Sequence, residues 1–126
     1  MEKLQLPEGY NTVMPYLIVK DALGLMQFLE EVFGAEEKMR VMADNGQLRH
    51  GEVLRNESCI MIAEASDQWT VQNAGMFIYV GNADDTYKKA LAAGASSIME
   101  PVNQTYGRSC GVTDPQGNTW WITSAL

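Results

Sequence analysis

A single histidine and two cysteines among 126 residues leave this chain little with which to hold a transition metal or build a disulfide framework. A site that needs two imidazoles cannot be assembled within one chain. Cys59 and Cys110 lack the short spacing of paired metal ligands and read as reduced core thiols. Basic residues are also scarce: nine Lys and Arg stand against sixteen Asp and Glu, for a net charge of -7. Binding to nucleic acid requires clustered Lys and Arg that displace counterions, and anionic membranes attract the same clusters. Neither partner is expected. Apolar runs extend for only a few residues, against the ~20 needed to span a bilayer. Met1-Glu2-Lys3-Leu4 has no basic start leading into an apolar stretch, so a secretory leader is not expected and the cytoplasm is the expected location.

Hydrophobic residues make up 46% of the chain and charged residues 20%, the balance of a folded globular protein. The length fits one domain, residues 1–126, since domains most often hold ~100–150 residues and can bury a core of their own at that size.

A faint internal repeat organises the domain. Tyr16-Leu17-Ile18-Val19-Lys20-Asp21-Ala22 is echoed by Phe77-Ile78-Tyr79-Val80-Gly81-Asn82-Ala83, and Gly34-Ala35 by Gly94-Ala95. Asp21 predicts the cap of a helix from Ala22 to about Phe33, with Ala22, Met26, Leu29 and Phe33 on one stripe and Gly34 ending it. Asn82 predicts the same for Ala83 to about Ala93, where Asp84 and Asp85 suit the first turn. Strands follow at 38–43, 47–54 and 58–63, with Asp44-Asn45-Gly46 as a hairpin signal. In the second half they are expected at 96–99, 107–113 and 118–123, the last two joined by Asp114-Pro115-Gln116-Gly117. The plan is β-α-β-β-β twice, an α+β domain with one module over about residues 13–64, a linker over about 65–74 and a second module over about 75–124. Each helix covers one face of its sheet; curling two such units together would hide the other faces around a cavity, the usual form of a ligand site.

This doubled plan resembles the vicinal oxygen chelate superfamily, which includes glyoxalase I, bleomycin-resistance proteins and extradiol dioxygenases. The closer similarity is to its PhnB-like, glyoxalase/bleomycin-resistance branch. It is carried by Tyr16-Leu17-Ile18-Val19 with Phe33-Gly34-Ala35, by His50-Gly51-Glu52-Val53, by Ala92-Ala93-Gly94-Ala95, and by Tyr106-Gly107 with Asp114-Pro115-Gln116-Gly117-Asn118-Thr119-Trp120. The resemblance implies curved mixed sheets around a cavity and a homodimer, with exchange of modules between chains left open.

Metal-dependent members take His and Glu from the first and last strand of each module. Carried over by spacing, those positions hold Met14, Met61, Gly75 (Met76 if the register slips) and Trp121, none with an imidazole or carboxylate. Divalent ions in such sites want oxygen and nitrogen donors, so neither metal nor other cofactor is expected. Strand alternation places Met14, Tyr16, Met61, Phe77, Tyr79 and Trp121 on the cavity side. They would either receive a flat or hydrophobic organic ligand or simply fill the interior.

His50 and Glu52 project from one strand face, where a carboxylate can orient an imidazole for hydrogen bonding or acid–base work. The alternative is a solvated or interface pair. Arg108 offers a fork to an anionic ligand group and Tyr106 a stacking surface, although an exposed surface position is the reading that suits Arg108 better. In the branch an Arg often stands where this chain has Ser109 and a His where it has Asn118. Trp69 in the linker is either a lid or an interface anchor. These readings point to a metal-independent small-molecule-binding protein. Two alternatives stand beside it: an enzyme of the same fold (lyase, isomerase or dioxygenase-like) using His50 and Glu52, and a regulatory module that binds another protein.

Overall fold

The computed structural model describes residues 2–126. The first module runs β1 (Tyr16–Val19), α1 (Ala22–Phe33), β2 (Glu36–Met42), β3 (Leu48–Arg55) and β4 (Ser58–Glu64). The second runs β5 (Gly75–Tyr79), α2 (Ala83–Ala92), β6 (Ser96–Gln104), β7 (Gly107–Thr113) and β8 (Thr119–Ser124). Each module forms a four-stranded mixed sheet, in the orders β1-β4-β3-β2 and β5-β8-β7-β6. The parallel pairs are β1 with β4 and β5 with β8, as the helical crossover after the first strand of each module requires. This is the α+β duplication that the repeat implied.

Helix α1 starts as Asp21 accepts the Gly24 N–H at 3.2 Å. Asp21 itself sits in the left-handed region at φ 63, and the Glu64 carboxylate at the end of β4 holds it there by accepting the N–H groups of Asp21 and Ala22 at 3.0 and 2.9 Å. Helix α2 is capped in the expected way, with the Asn82 side chain accepting the Asp85 N–H. The hairpin between β2 and β3 closes with the Ala43 N–H donating to Gln47 O and the Gly46 N–H to Ala43 O. Gly46 takes φ 83 while Asn45 stays at negative φ, so this is a three-residue loop with glycine in the left-handed position.

Strand β6 runs past Pro101 and is longer than the expected 96–99. Proline is tolerated on an edge strand, where its missing N–H faces away from the ladder; β6 is such an edge, and its pairing with β7 is irregular around Met99 and Val102.

One core joins the modules. It contains Leu17, Val19, Leu25, Met26, Leu29 and Ile62 from the first and Cys110, Val112, Trp120 and Ile122 from the second. The joint is made by the helices, which contact each other, and by Phe33 of α1, whose ring centroid lies 4.7 Å from that of Trp120 in β8. Because both helix-covered faces turn toward this shared core, the other face of each sheet points outward.

Candidate functional site

On the outward face of the first sheet stand Tyr16 and Ile18 of β1, His50 and Glu52 of β3, and Met61 and Ala63 of β4, while a bulge between Leu48 and His50 turns the Leu48 side chain back into the core. Register places Tyr16 opposite Met61 and Met61 opposite Glu52, a row of three across the strands. Gly51, between His50 and Glu52, points the other way, and a Cβ there would lie 2.7 Å from Met26 Sδ of α1.

Two pieces of chain that are not part of the repeat lie over this face. The first is the N-terminal segment. Asn11 accepts the Cys59 N–H at 2.9 Å and donates to Glu57 O at 2.8 Å, which brings the Tyr10 hydroxyl within 2.7 Å of Glu52 Oε1. Lys38 of β2 sits 4.0 Å above the Tyr10 ring, with its Nζ 3.7 Å from the same carboxylate oxygen. Glu52 is thereby left only 3% exposed on an otherwise open face. The second is the linker. Gln72 pairs with Ile18 along the free edge of β1, and Ser66 and Trp69 close a turn with two mutual hydrogen bonds.

Between linker, hairpin and sheet lies a cavity of about 690 Å³, within the ~300–1,000 Å³ of ordinary small-molecule sites. Tyr16, Ile18, Leu48, Ala63 and Trp69 form much of its wall, with His50 among them and Asn45, Gln47, Arg49, Glu64 and Ser66 at the sides. Trp69 thus stands on the cavity wall.

His50 and Glu52 are in direct contact, Nε2 to Oε2 at 2.7 Å, and the other ring nitrogen of His50 lies 3.0 Å from the Tyr16 hydroxyl. Burial pushes the Glu52 carboxyl up, but the hydrogen bonds from His50 and Tyr10 and the charges of His50 and Lys38 outweigh it, leaving Glu52 below the usual carboxylate range. The result is a chain Tyr10–Glu52–His50–Tyr16 that leads from under the N-terminal segment to the cavity wall. Sequence reasoning does not find Tyr10 and Lys38, because neither stands in a motif; both reach Glu52 only through tertiary contacts.

The second sheet presents a different surface. Phe77 is 50% exposed, Tyr79 64% and Tyr106 55%, with the Phe77 ring 5.1 Å from that of Tyr79 and 6.2 Å from that of Tyr106. Trp121 lies beside them over Gly111, where an added Cβ would collide with the indole. Within one chain these aromatic residues share no cavity with Tyr16 and Met61, since the two helices stand between the sheets. The expectation of one cavity wall drawn from both modules is corrected on this point.

Arg108 is also placed differently from its expected ligand-facing role. It lies on the helix side of β7, where its Nε and Nη2 donate to the two oxygens of Asp84 at 2.7 and 3.0 Å and its Nη1 to Asn103 at 3.1 Å. Its fork is occupied, and Asp84 is held below the usual carboxylate range first by that hydrogen bond. Asn118 is fully buried and structural: it donates to Asp114 and accepts the Ala74 N–H at 3.1 Å, tying the linker to the last hairpin. Asp114 also takes the Trp120 Nε1–H at 2.8 Å.

The residues at the positions implied for metal ligands do not fit an ion. Met14 and Met61 offer thioethers, Gly75 no side chain and Trp121 an indole. His50 has both ring nitrogens engaged, and among the described residues no group of three or more His, Cys, Asp or Glu comes together.

The chain belongs to the glyoxalase/bleomycin resistance protein/dioxygenase superfamily, whose family model matches residues 9–122. Among solved structures it is similar to TioX from Micromonospora sp. ML1, at 22% identity over 92% of this chain and 100% of that one, with a TM-score of 0.74. It is similar to TnmS3, an antibiotic binding protein from Streptomyces sp. CB03234, at 15% identity, coverage of 93% and 100%, and a TM-score of 0.69. A PhnB protein from Bacillus cereus, described as a putative 3-demethylubiquinone-9 3-methyltransferase, shares 17% identity over 91% of this chain and 100% of its own, with a TM-score of 0.74. In sequence, an uncharacterised protein of Mycobacterium bovis is 29% identical over 118 residues, 84% of this chain and 78% of its own. These likenesses establish the fold. Among the described residues, no helix is long and apolar enough to cross a membrane.

Proposed function

We propose that this protein binds a flat or hydrophobic organic molecule without a metal, as a cytoplasmic homodimer. The observation that carries the reading is the cavity of about 690 Å³, which combines Tyr16, Ile18, Leu48 and Trp69 with the anchored imidazole of His50. Ring faces and aliphatic groups suit a planar guest, and a few oriented polar groups suffice to fix its direction. That TnmS3 is an antibiotic binding protein of the same fold makes planar aromatic antibiotics the first ligands to try.

The second sheet supports the proposed dimer. Phe77, Tyr79, Tyr106 and Trp121 form an apolar aromatic face of the kind that marks an interaction surface. Its chain's own first sheet cannot cover it, because the helices intervene, but the first sheet of a second copy can. Placed so, the aromatic face closes the cavity from the far side, and Met14, Tyr16 and Met61 of one copy meet Phe77, Tyr79 and Trp121 of the other. The same pairing occurs twice in a two-fold dimer.

Titration of the protein with planar aromatic antibiotics, read by tryptophan fluorescence, tests the reading. Saturable quenching that weakens in Trp69→Phe is expected; an unchanged signal across the panel overturns the proposal. The contact of Glu52, His50 and Tyr16 at the cavity wall favours one second reading, a lyase or isomerase in which His50 moves a proton. Turnover of a bound ligand that stops in His50→Gln while binding persists would establish it.

A further inference from the structure

Tyr16 is the cavity end of a hydrogen-bond chain that passes through the buried Glu52, and the chain's chemistry dictates which way the Tyr16 hydroxyl points. An ionised carboxylate can only accept hydrogen bonds. Glu52, taking one bond from the Tyr10 hydroxyl, therefore requires that His50 Nε2, 2.7 Å away, carry a hydrogen. The state of Nδ1 then depends on the charge of the ring: a bare lone pair in neutral imidazole, an N–H in imidazolium. The Tyr16 hydroxyl, 3.0 Å from Nδ1, must donate to the first and accept from the second. What remains for a ligand is the opposite capacity in each case.

We propose that His50 sets the hydrogen-bonding polarity of the cavity through Tyr16. With His50 neutral, the phenolic oxygen faces the guest as an acceptor and selects planar ligands that carry an N–H or O–H donor. With His50 protonated, the O–H turns outward and selects ligands that present a carbonyl or other acceptor. This rests on the ligand-binding reading above and adds the class of ligand to it. The charged and titratable groups around His50 are Glu52 beside it, Lys38 from β2, Tyr10 from the N-terminal segment, and Arg49 and Glu64 on the cavity wall. His50 is the chain's one histidine, the side-chain type that changes charge between about pH 5 and 8, while Glu52 remains the carboxylate there.

Calorimetric titration with three probes at about pH 8 and about pH 5 tests the switch: indole, which only donates; 1-methylindole, which has no donor; and acetophenone, which only accepts. Indole should bind about fivefold to tenfold more tightly than 1-methylindole at the higher pH, the effect of one hydrogen bond, and lose that advantage at the lower. Acetophenone should show the reverse trend. Tyr16→Phe keeps the ring and should abolish both pH effects, as should His50→Gln. Nitrogen-15 spectra of the single imidazole should show the neutral ring protonated at Nε2; protonation at Nδ1 overturns the proposal. Binding of all three probes with no inversion also overturns it and leaves the cavity reading intact, whereas no binding by any probe sinks both.

Discussion

The two modules share one plan and differ in what covers their outward faces. Over the first sheet lie Tyr10 and Asn11 of the N-terminal segment and Ser66 and Trp69 of the linker, all outside the repeated β-α-β-β-β units. Among the described residues nothing equivalent lies over the second, and its aromatic side chains stand exposed. The helices differ as well. Helix α1 buries Leu25, Met26, Phe28, Leu29, Val32 and Phe33, while α2 buries only Ala83, Thr86 and Ala90. Repetition has thus preserved the scaffold, whereas the unrepeated segments decide which face becomes a pocket. The module with large core side chains and a covered face carries the pocket; its lighter twin leaves Phe77, Tyr79 and Tyr106 exposed.

The largest expected effect comes from the joint between the modules. Trp120→Ala removes a fully buried indole, its contact with Phe33 and its hydrogen bond to Asp114, and should cost about 3–5 kcal/mol in urea unfolding. A single transition is expected, because one core serves both modules; two separated transitions would show that they fold independently.

Next is the exposed aromatic face. Phe77→Lys puts a charge at the proposed dimer contact and should weaken association by about thirtyfold or more, the loss of ~2 kcal/mol typical of a central interface residue. Sedimentation velocity reads the shift from dimer to monomer. The equivalent change on a covered face would unfold the protein; here the thermal midpoint of the monomer should hold.

A smaller effect distinguishes the polar centre of module one. Glu52 has a folded-state value below its ordinary 4.5, so its contribution to stability is present above that value and lost as pH falls through the lower one. Acid unfolding should therefore steepen below about pH 4.5 in the native protein, and Glu52→Gln should flatten that limb. An identical acid limb in both would place the pH dependence elsewhere. The smallest effect belongs to Arg108→Ala. Its ion pair with Asp84 is solvent-exposed and screened, so the thermal midpoint should move little and binding of a cavity ligand not at all.

Much of the scaffold was legible because it obeys local rules. Asp21 and Asn82 announce helix starts, Gly34 marks an end, and Asp114-Pro115-Gln116-Gly117 closes a hairpin. Strand alternation also separated Leu17, Val19, Ile78 and Trp120 from Tyr16, Phe77, Tyr79 and Trp121. The direct contact of His50 with Glu52 follows from a two-residue spacing. By contrast, Arg108 reads as a free cation until Asp84, on a helix 24 residues away, is seen to fill its fork. Tyr10 and Glu64 carry no local signal at all, since each acts on residues 42 or more positions distant.

Periodicity and turn chemistry, which operate within a few residues, were enough to determine the doubled βαβββ architecture and the poverty of metal donors, whereas strand alternation failed at the bulge between Leu48 and His50, which turns Leu48 into the core. The direction in which the two open faces point was decided only by the tertiary structure. That outcome depends on α1 packing against α2 and Phe33 against Trp120, long-range contacts made by side chains that look like ordinary core residues in the sequence. Whether an open face becomes a cavity was settled in the same way, by a linker and an N-terminal segment whose own composition does not reveal where they will lie.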